Sequence, residues 1–230
     1  LPMCSTEIIT SLMGLSLVRR HCIALGFLAA AVGPFPALAA QPLPRTQTIL
    51  VVGDSLSAEY GLKRGTGWVA LMEQRLMTEK ISAKVVNASI SGDTTSGGRS
   101  RLGVLLKQHQ PTLVILELGG NDALRGLPLD MTEDNLQAMT RAAQDSGAKV
   151  LLVGMQVPPN YVTDYATRFS NSFSNVTKAN KAALVPFMLK GIADGPEAPG
   201  FFQGDRIHPN EAAHPLILNN LWPTVKKLIA

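Results

Sequence analysis

Five short apolar runs divide residues 47–187, and a segment with helical spacing lies between each pair. "QTILVVG" (47–53), "AKVVNAS" (83–89), "PTLVILELGG" (111–120), "AKVLLVGM" (148–155) and "AALVPF" (182–187) read as strands. They are rich in Val, Ile and Leu and show little alternation of polar and apolar residues, as expected where both sheet faces are buried. Between them, "GWVALMEQRLMTEK" (67–80) places Trp68, Leu71, Met72 and Leu76 on one helical face. "GGRSRLGVLLKQH" (97–109) is a helix that stops before Pro111. "TEDNLQAMTRAAQDSG" (132–147) is a helix with Thr132 as its expected N-cap and Gly147 past its end. A polar helical stretch covers 161–182. A last helix covers 209–230, with Pro209 at its first position and a bend or break expected at Pro215 and Pro223. This alternation predicts an α/β fold, a parallel sheet covered by helices on both faces.

The first residues stand apart from that pattern. From Met13 the chain carries Arg19 and Arg20, then the apolar run "CIALGFLAAAVG", then "ALA" at 37–39. A basic start, a short apolar core and a small-x-small site describe a cleavable export signal. The core is too short to span a bilayer of about 30 Å. We therefore expect residues 1–39 to be an N-terminal extension and signal peptide, with residues 1–12 ahead of the first plausible start. Residues 40–230 are then one domain, exported to the periplasm or secreted, with no stable membrane insertion after cleavage. Both cysteines, Cys4 and Cys22, fall in the leader, so the domain has neither a disulfide nor a thiol nucleophile. The formal charge of +4 falls to +3 when Arg19, Arg20 and Glu7 leave. The remaining cations form no stripe with interleaved aromatics, so no nucleic-acid partner is expected.

In an open parallel sheet, ligands bind beyond the carboxyl ends of the strands, at the switch point. With strand order 2-1-3-4-5, three polar glycine-rich loops converge there: "GDSLS" (53–57), "SISGDTTSGG" (89–98) and "GGNDALRG" (119–126). Ser55 is the candidate nucleophile at the end of the first strand. Of the histidines beyond the leader, His109 lies at a helix end on the opposite edge, and His214 lies within the last helix. His208, in "GDRIHPN", has Asp205 three residues earlier, close enough to hold the imidazole in one tautomer. The Ser55 N–H, the Gly92 N–H and the Asn121 amide are candidate oxyanion donors. The spacing G-x-S-x-G is absent, because Ser57 follows Ser55 by two. Two other classes stay open on the residues alone. Asp54, Asp122, Asp205 and His208 could ligate a divalent ion in a phosphohydrolase, or the fold could serve as a non-catalytic binding module.

Four blocks stand in order along the chain: "GDSLS" at 53–57, "NASISGDTT" at 87–95, "GGND" at 119–122 and "DRIHPN" at 205–210. In these the chain resembles the GDSL, or SGNH, serine hydrolases. The flanking words "VVNASISGDT", "LLKQHQP" and "LELGGNDALRG" are similar to an exported bacterial branch with thioesterase, protease, lysophospholipase and arylesterase activities. The resemblance implies a flavodoxin-like three-layer α/β/α sandwich. It implies Ser55 as nucleophile, His208 as base and Asp205 as its orienter, with Ser55, Gly92 and Asn121 in the oxyanion hole. Asp54 and Asp122 then hold their turns. The loops 123–130 and 156–162 would line an acyl groove, with Leu124, Val157 and Pro158 as substrate-binding residues. The chemistry implied is hydrolysis of small-molecule or lipid carboxylic esters and thioesters, with no metal and no cofactor, by a monomer. Glu59 adds a charge near the nucleophile turn.

Overall fold

A computed structural model describes residues 47–158 and 160–230. The expected leader, 1–39, and the first residues of the domain lie outside the described residues. The elements follow the alternation: β1 (Gln47–Gly53), α1 (Trp68–Thr78), β2 (Ala83–Asn87), α2 (Thr95–His109), β3 (Leu113–Glu117), α3 (Gly120–Leu124), α4 (Leu129–Asp145), β4 (Lys149–Val153), α5 (Thr163–Asn180), β5 (Ala183–Val185) and α6 (His214–Ile229).

The strands form one sheet in the order β2-β1-β3-β4-β5. Every pairing is parallel, with Val51 beside Asn87 and Ile115, and Leu116 beside Leu152. Parallel neighbours need long crossovers, and the helices supply them. Helices α1 and α6 pack against each other, while α2, α4 and α5 pack in a row. The result is an α/β/α sandwich, with the sheet buried between two helical layers. Ile49 to Val52, Leu113 to Leu116 and Val150 to Val153 are all buried, which explains why these runs do not alternate. The edge strand β2 is only half-buried.

Three helix boundaries differ from expectation. Helix α4 starts at Leu129 after Pro128, not after Thr132. Thr132 is an interior residue, and its hydroxyl donates to Asp122 instead of capping. Pro209 is not the first residue of the last helix, and Asn210 caps the turn that follows it. Its side chain accepts from Ala212 N–H and closes a separate 3-10 turn at Glu211–Ala213. Helix α6 then begins at His214 with Pro215 in its first turn, where a missing N–H costs nothing. It continues through Pro223 without a break.

Candidate active site

The strand order reverses beside β1, so the loops after β1, β2 and β3 meet at one edge. Strand β1 ends at Gly53 and the chain turns at once. Ser57 and Ala58 N–H both donate to the Asp54 carbonyl, at 3.2 and 2.9 Å. The Asp54 side chain is buried and accepts from Leu56 N–H at 3.0 Å. Ser55 is therefore held on a one-turn coil whose next residue, Leu56, is anchored in the core.

The long segment after β5 returns to this edge through 205–210. Asp205 Oδ1 accepts the backbone N–H groups of Ile207 and His208, at 2.9 and 3.0 Å. Its other oxygen lies 2.6 Å from His208 Nδ1. His208 Nε2 lies 2.8 Å from Ser55 Oγ. The His208 backbone N–H, then its ring and the Ile207 N–H, hold the Asp205 carboxyl down at about 2. An ionised Asp205 can only accept, so it selects the tautomer with the proton on Nδ1 and leaves Nε2 free to take the Ser55 proton. The Tyr60 ring packs against the imidazole, with centroids 4.4 Å apart.

Two further loops border the nucleophile turn: 87–95 bonds it through Asn87 and Ile90, and α3 bonds it through Asn121. Gly92 has φ +78°, a conformation side chains rarely adopt. Its carbonyl accepts from Arg125 Nη2 at 2.7 Å. Arg101 braces the same loop, bonding Asp93 and the Ala88 carbonyl. On α3, Asn121 Nδ2 donates to Asp54 Oδ2 at 2.9 Å, and among the described residues its second N–H has no acceptor. Asp122 is fully buried and ties α3 to α2 through Thr95 N–H at 2.9 Å and the Thr95 hydroxyl. Asp54 and Asp122 thus hold turns. Among the described residues no three His, Cys, Asp or Glu side chains come together to hold a metal ion. The four residues weighed as metal ligands share no site.

The other histidines are apart. His109 ends α2. His214 is buried, and its Nδ1 accepts the Trp68 N–H at 3.0 Å, closing α6 onto α1. Glu59, at φ +58°, accepts from Gly65 and Gly67 N–H at 2.9 and 2.8 Å, so its carboxylate stitches the loop that leads into α1.

An apolar cleft of about 300 Å³ lies beside α3, lined by Ala123, Leu124, Gly126, Tyr161, Val162 and Tyr165. Leu124 is in it. Val157 instead packs against the core and Pro158 is exposed. The loop after β4 contributes through Tyr161 and Val162, whose place at a helix start the sequence pattern did not single out. A second residue escaped the sequence reading. Glu117, the last residue of β3, is fully buried and lies under the nucleophile turn. Its one visible signal is an acid set between Leu116 and Leu118 in the most apolar run.

Residues 51–216 match the family model described as "GDSL-like Lipase/Acylhydrolase family". The chain belongs to this family. Of the blocks seen in the sequence, 205–210 reaches Ser55 through His208, 119–122 reaches Asp54 through Asn121, and 87–95 reaches the same turn through Asn87 and Ile90. The chain is 50% identical over 183 residues to "Esterase TesA" of Pseudomonas aeruginosa, covering 80% of this chain and 90% of that protein. It is 38% identical over 182 residues to "Thioesterase 1/protease 1/lysophospholipase L1" of Escherichia coli K12, covering 79% and 85%. A crystal structure of TesA superimposes with a TM-score of 0.76 at 50% identity, covering 79% of this chain and 99% of that one. The psychrotrophic esterase EstA from Pseudoalteromonas sp., inhibited by monoethylphosphonate, gives 0.74 at 39% identity, covering 79% and 97%. The GDSL chain described here is accordingly an ester hydrolase.

Proposed function

We propose that Ser55 is the nucleophile of an esterase acting on carboxylic esters and thioesters, of the arylesterase, lysophospholipase and acyl-thioesterase type. The observation that carries this is the continuous Ser55–His208–Asp205 hydrogen-bond chain, at 2.8 and 2.6 Å, built from opposite ends of the domain. His208 takes the Ser55 proton as Oγ attacks the carbonyl carbon. The imidazolium that forms is stabilised by the Asp205 carboxylate. The oxyanion is met by the Ser55 and Gly92 N–H groups and the free N–H of Asn121. Such donors each contribute about 2.7–4 kcal/mol to transition-state stabilisation. The alcohol or thiol leaves with the proton from His208, and water activated by the same ring releases the acid. No step needs a metal or a cofactor.

The cleft beside α3 is the natural seat for the acyl chain, since Leu124 and Val162 offer apolar surface close to the Asn121 turn. The leader motif at 13–39 supports export to the periplasm or beyond, where lysophospholipids and other esters outnumber acyl-CoA. No described helix is long and apolar enough to cross a membrane. A monomer is sufficient, because one chain supplies every group of the site.

The test uses the domain from about residue 40 with p-nitrophenyl esters of graded chain length, with and without EDTA, beside Ser55→Ala. Activity should ignore EDTA and vanish in the variant. Activity that survives Ser55→Ala, or is lost to EDTA, overturns the serine mechanism.

A further inference from the structure

Glu117 takes no part in the mechanism above, yet it is a fully buried acid directly under the nucleophile turn. Its Oε2 accepts the Ser57 hydroxyl at 2.6 Å and the Asp54 N–H at 3.3 Å. The direction of the first bond is settled by Trp68. Its indole Nε1–H donates to Ser57 Oγ at 3.2 Å, so the one Ser57 proton is free to point at Glu117. Oε2 is thus a double acceptor. Oε1 is buried, and among the described residues no donor reaches it. A carboxylate oxygen so placed carries the full cost of its lost hydration. The neighbouring charge is of the wrong sign, because the Asp54 carboxyl lies against Glu117. Two acids in contact cannot both ionise cheaply.

We propose that Glu117 works as a neutral carboxylic acid, with its proton on Oε1, that positions the nucleophile turn and, through Asp54, the Asn121 oxyanion donor. This rests on the serine-esterase reading above. A proton on Oε1 gives the orphaned atom a donor role, and the acceptor proposed for it is the Asp54 carboxylate, whose charge acts on Glu117. Asp54 then stays ionised and acceptor-only, with one oxygen on Leu56 N–H and the other on Asn121. Were Glu117 the ionised partner, Asp54 would hold the proton and lose acceptor capacity toward Asn121.

The surrounding groups agree. Ser57 and Asp54 face Glu117 from the β1 turn, and Trp68 reaches it through Ser57 from α1. Asn121 on α3 touches Asp54. His208 acts on Asp54 as a nearby positive charge when protonated, and Asp93 as a negative one. The guanidinium of Arg101 is directed at the Gly53, Ala88 and Asp93 oxygens. Burial and then the Asp54 charge push the Glu117 carboxyl well above the ordinary range, whereas Asp54 is pushed up by burial only to about 6. Gly53 belongs to the same device. A Cβ there would sit 2.7 Å from Glu117 Oε2 and 2.8 Å from Ser57 Oγ, so the glycine before Asp54 makes room for the acid.

The decisive measurement is infrared. Wild-type minus Glu117→Gln difference spectra at neutral pH should show the C=O stretch of a protonated carboxyl, and Asp54→Asn should shift that band. Kinetics give an independent arm. Glu117→Gln keeps a neutral donor and acceptor and should hold kcat within about threefold, while Glu117→Leu should lower kcat by ~10-fold or more at little change in KM. A difference spectrum without the protonated band overturns the proposal. So does a Gln variant as impaired as the Leu variant, or a Leu variant equal to wild type. If circular dichroism shows the Leu variant unfolded, the band and the Gln variant decide. The band does not depend on catalysis, so an active Ser55→Ala would defeat the serine reading and leave this measurement standing.

Discussion

Replacing Asp205 by Asn should separate activity from stability. Oδ1 of Asp205 accepts two backbone N–H groups, from Ile207 and His208. An amide can serve there only with its oxygen, so its NH₂ is forced into the place of Oδ2, 2.6 Å from His208 Nδ1. A donor at that distance selects the opposite tautomer. Nε2 then carries the proton and faces Ser55 Oγ at 2.8 Å as a donor, unable to act as base. Loss of the right tautomer costs about 10⁴ in kcat, or about 5.4 kcal/mol of barrier. The stability cost is far smaller. The Asp205 carboxyl lies at about 2 against an ordinary 3.8. That difference corresponds to about 2.4 kcal/mol before screening, and a side chain 37% exposed retains only ~1 kcal/mol of it. Because the folded value is depressed, this contribution is present above 3.8 and is lost as pH falls toward 2. The assay is kcat/KM on a p-nitrophenyl ester beside urea denaturation at neutral pH. An Asp205→Asn enzyme within tenfold of wild type, or one unfolded at neutral pH, refutes the tautomer argument.

Further outcomes follow from the same contacts. Gly53→Ala should lose about 1–3 kcal/mol of stability by denaturant titration, because the added Cβ meets Glu117 and Ser57 at under 3 Å. Burial holds the His214 imidazole below its ordinary 6.5, so the folded state binds fewer protons than the unfolded chain and stability falls as pH drops below 6.5; His214→Asn should flatten that dependence in pH-resolved melts. Leu124→Trp should fill the cleft of about 300 Å³ and depress activity on long acyl esters more than on acetate.

The central layer of the fold was legible because β1, β3 and β4 are buried on both faces, so their composition alone marks them. The three polar loops fell on one edge by topology, which singled out Ser55, Gly92 and Asn121, while Asp205 and His208 were readable from their three-residue spacing in one turn. Helix starts were less legible. Thr132 has the chemistry of a cap, but its hydroxyl is taken by Asp122, and the fixed backbone of Pro128 starts α4 four residues earlier. Pro209 looked like a first helical residue, yet the Asn210 side chain closes its own short turn. The cleft was only half visible: the loop 156–162, which holds Tyr161, was expected to line it, but Tyr165 sits in a stretch whose composition reads as a polar helix. Glu117 could be noticed as an acid in an apolar strand, but its partners Ser57, Asp54 and Trp68 are set by the turn after β1, which pattern alone does not resolve.

The most direct test of the account is covalent. The domain would be treated with a p-nitrophenyl alkylphosphonate, and the adduct located by intact mass and peptide mapping. The account predicts one adduct per chain, on Ser55, formed in step with loss of esterase activity and absent from Ser55→Ala. Inactivation with the label on another residue, or full activity after Ser55 is labelled, would contradict it.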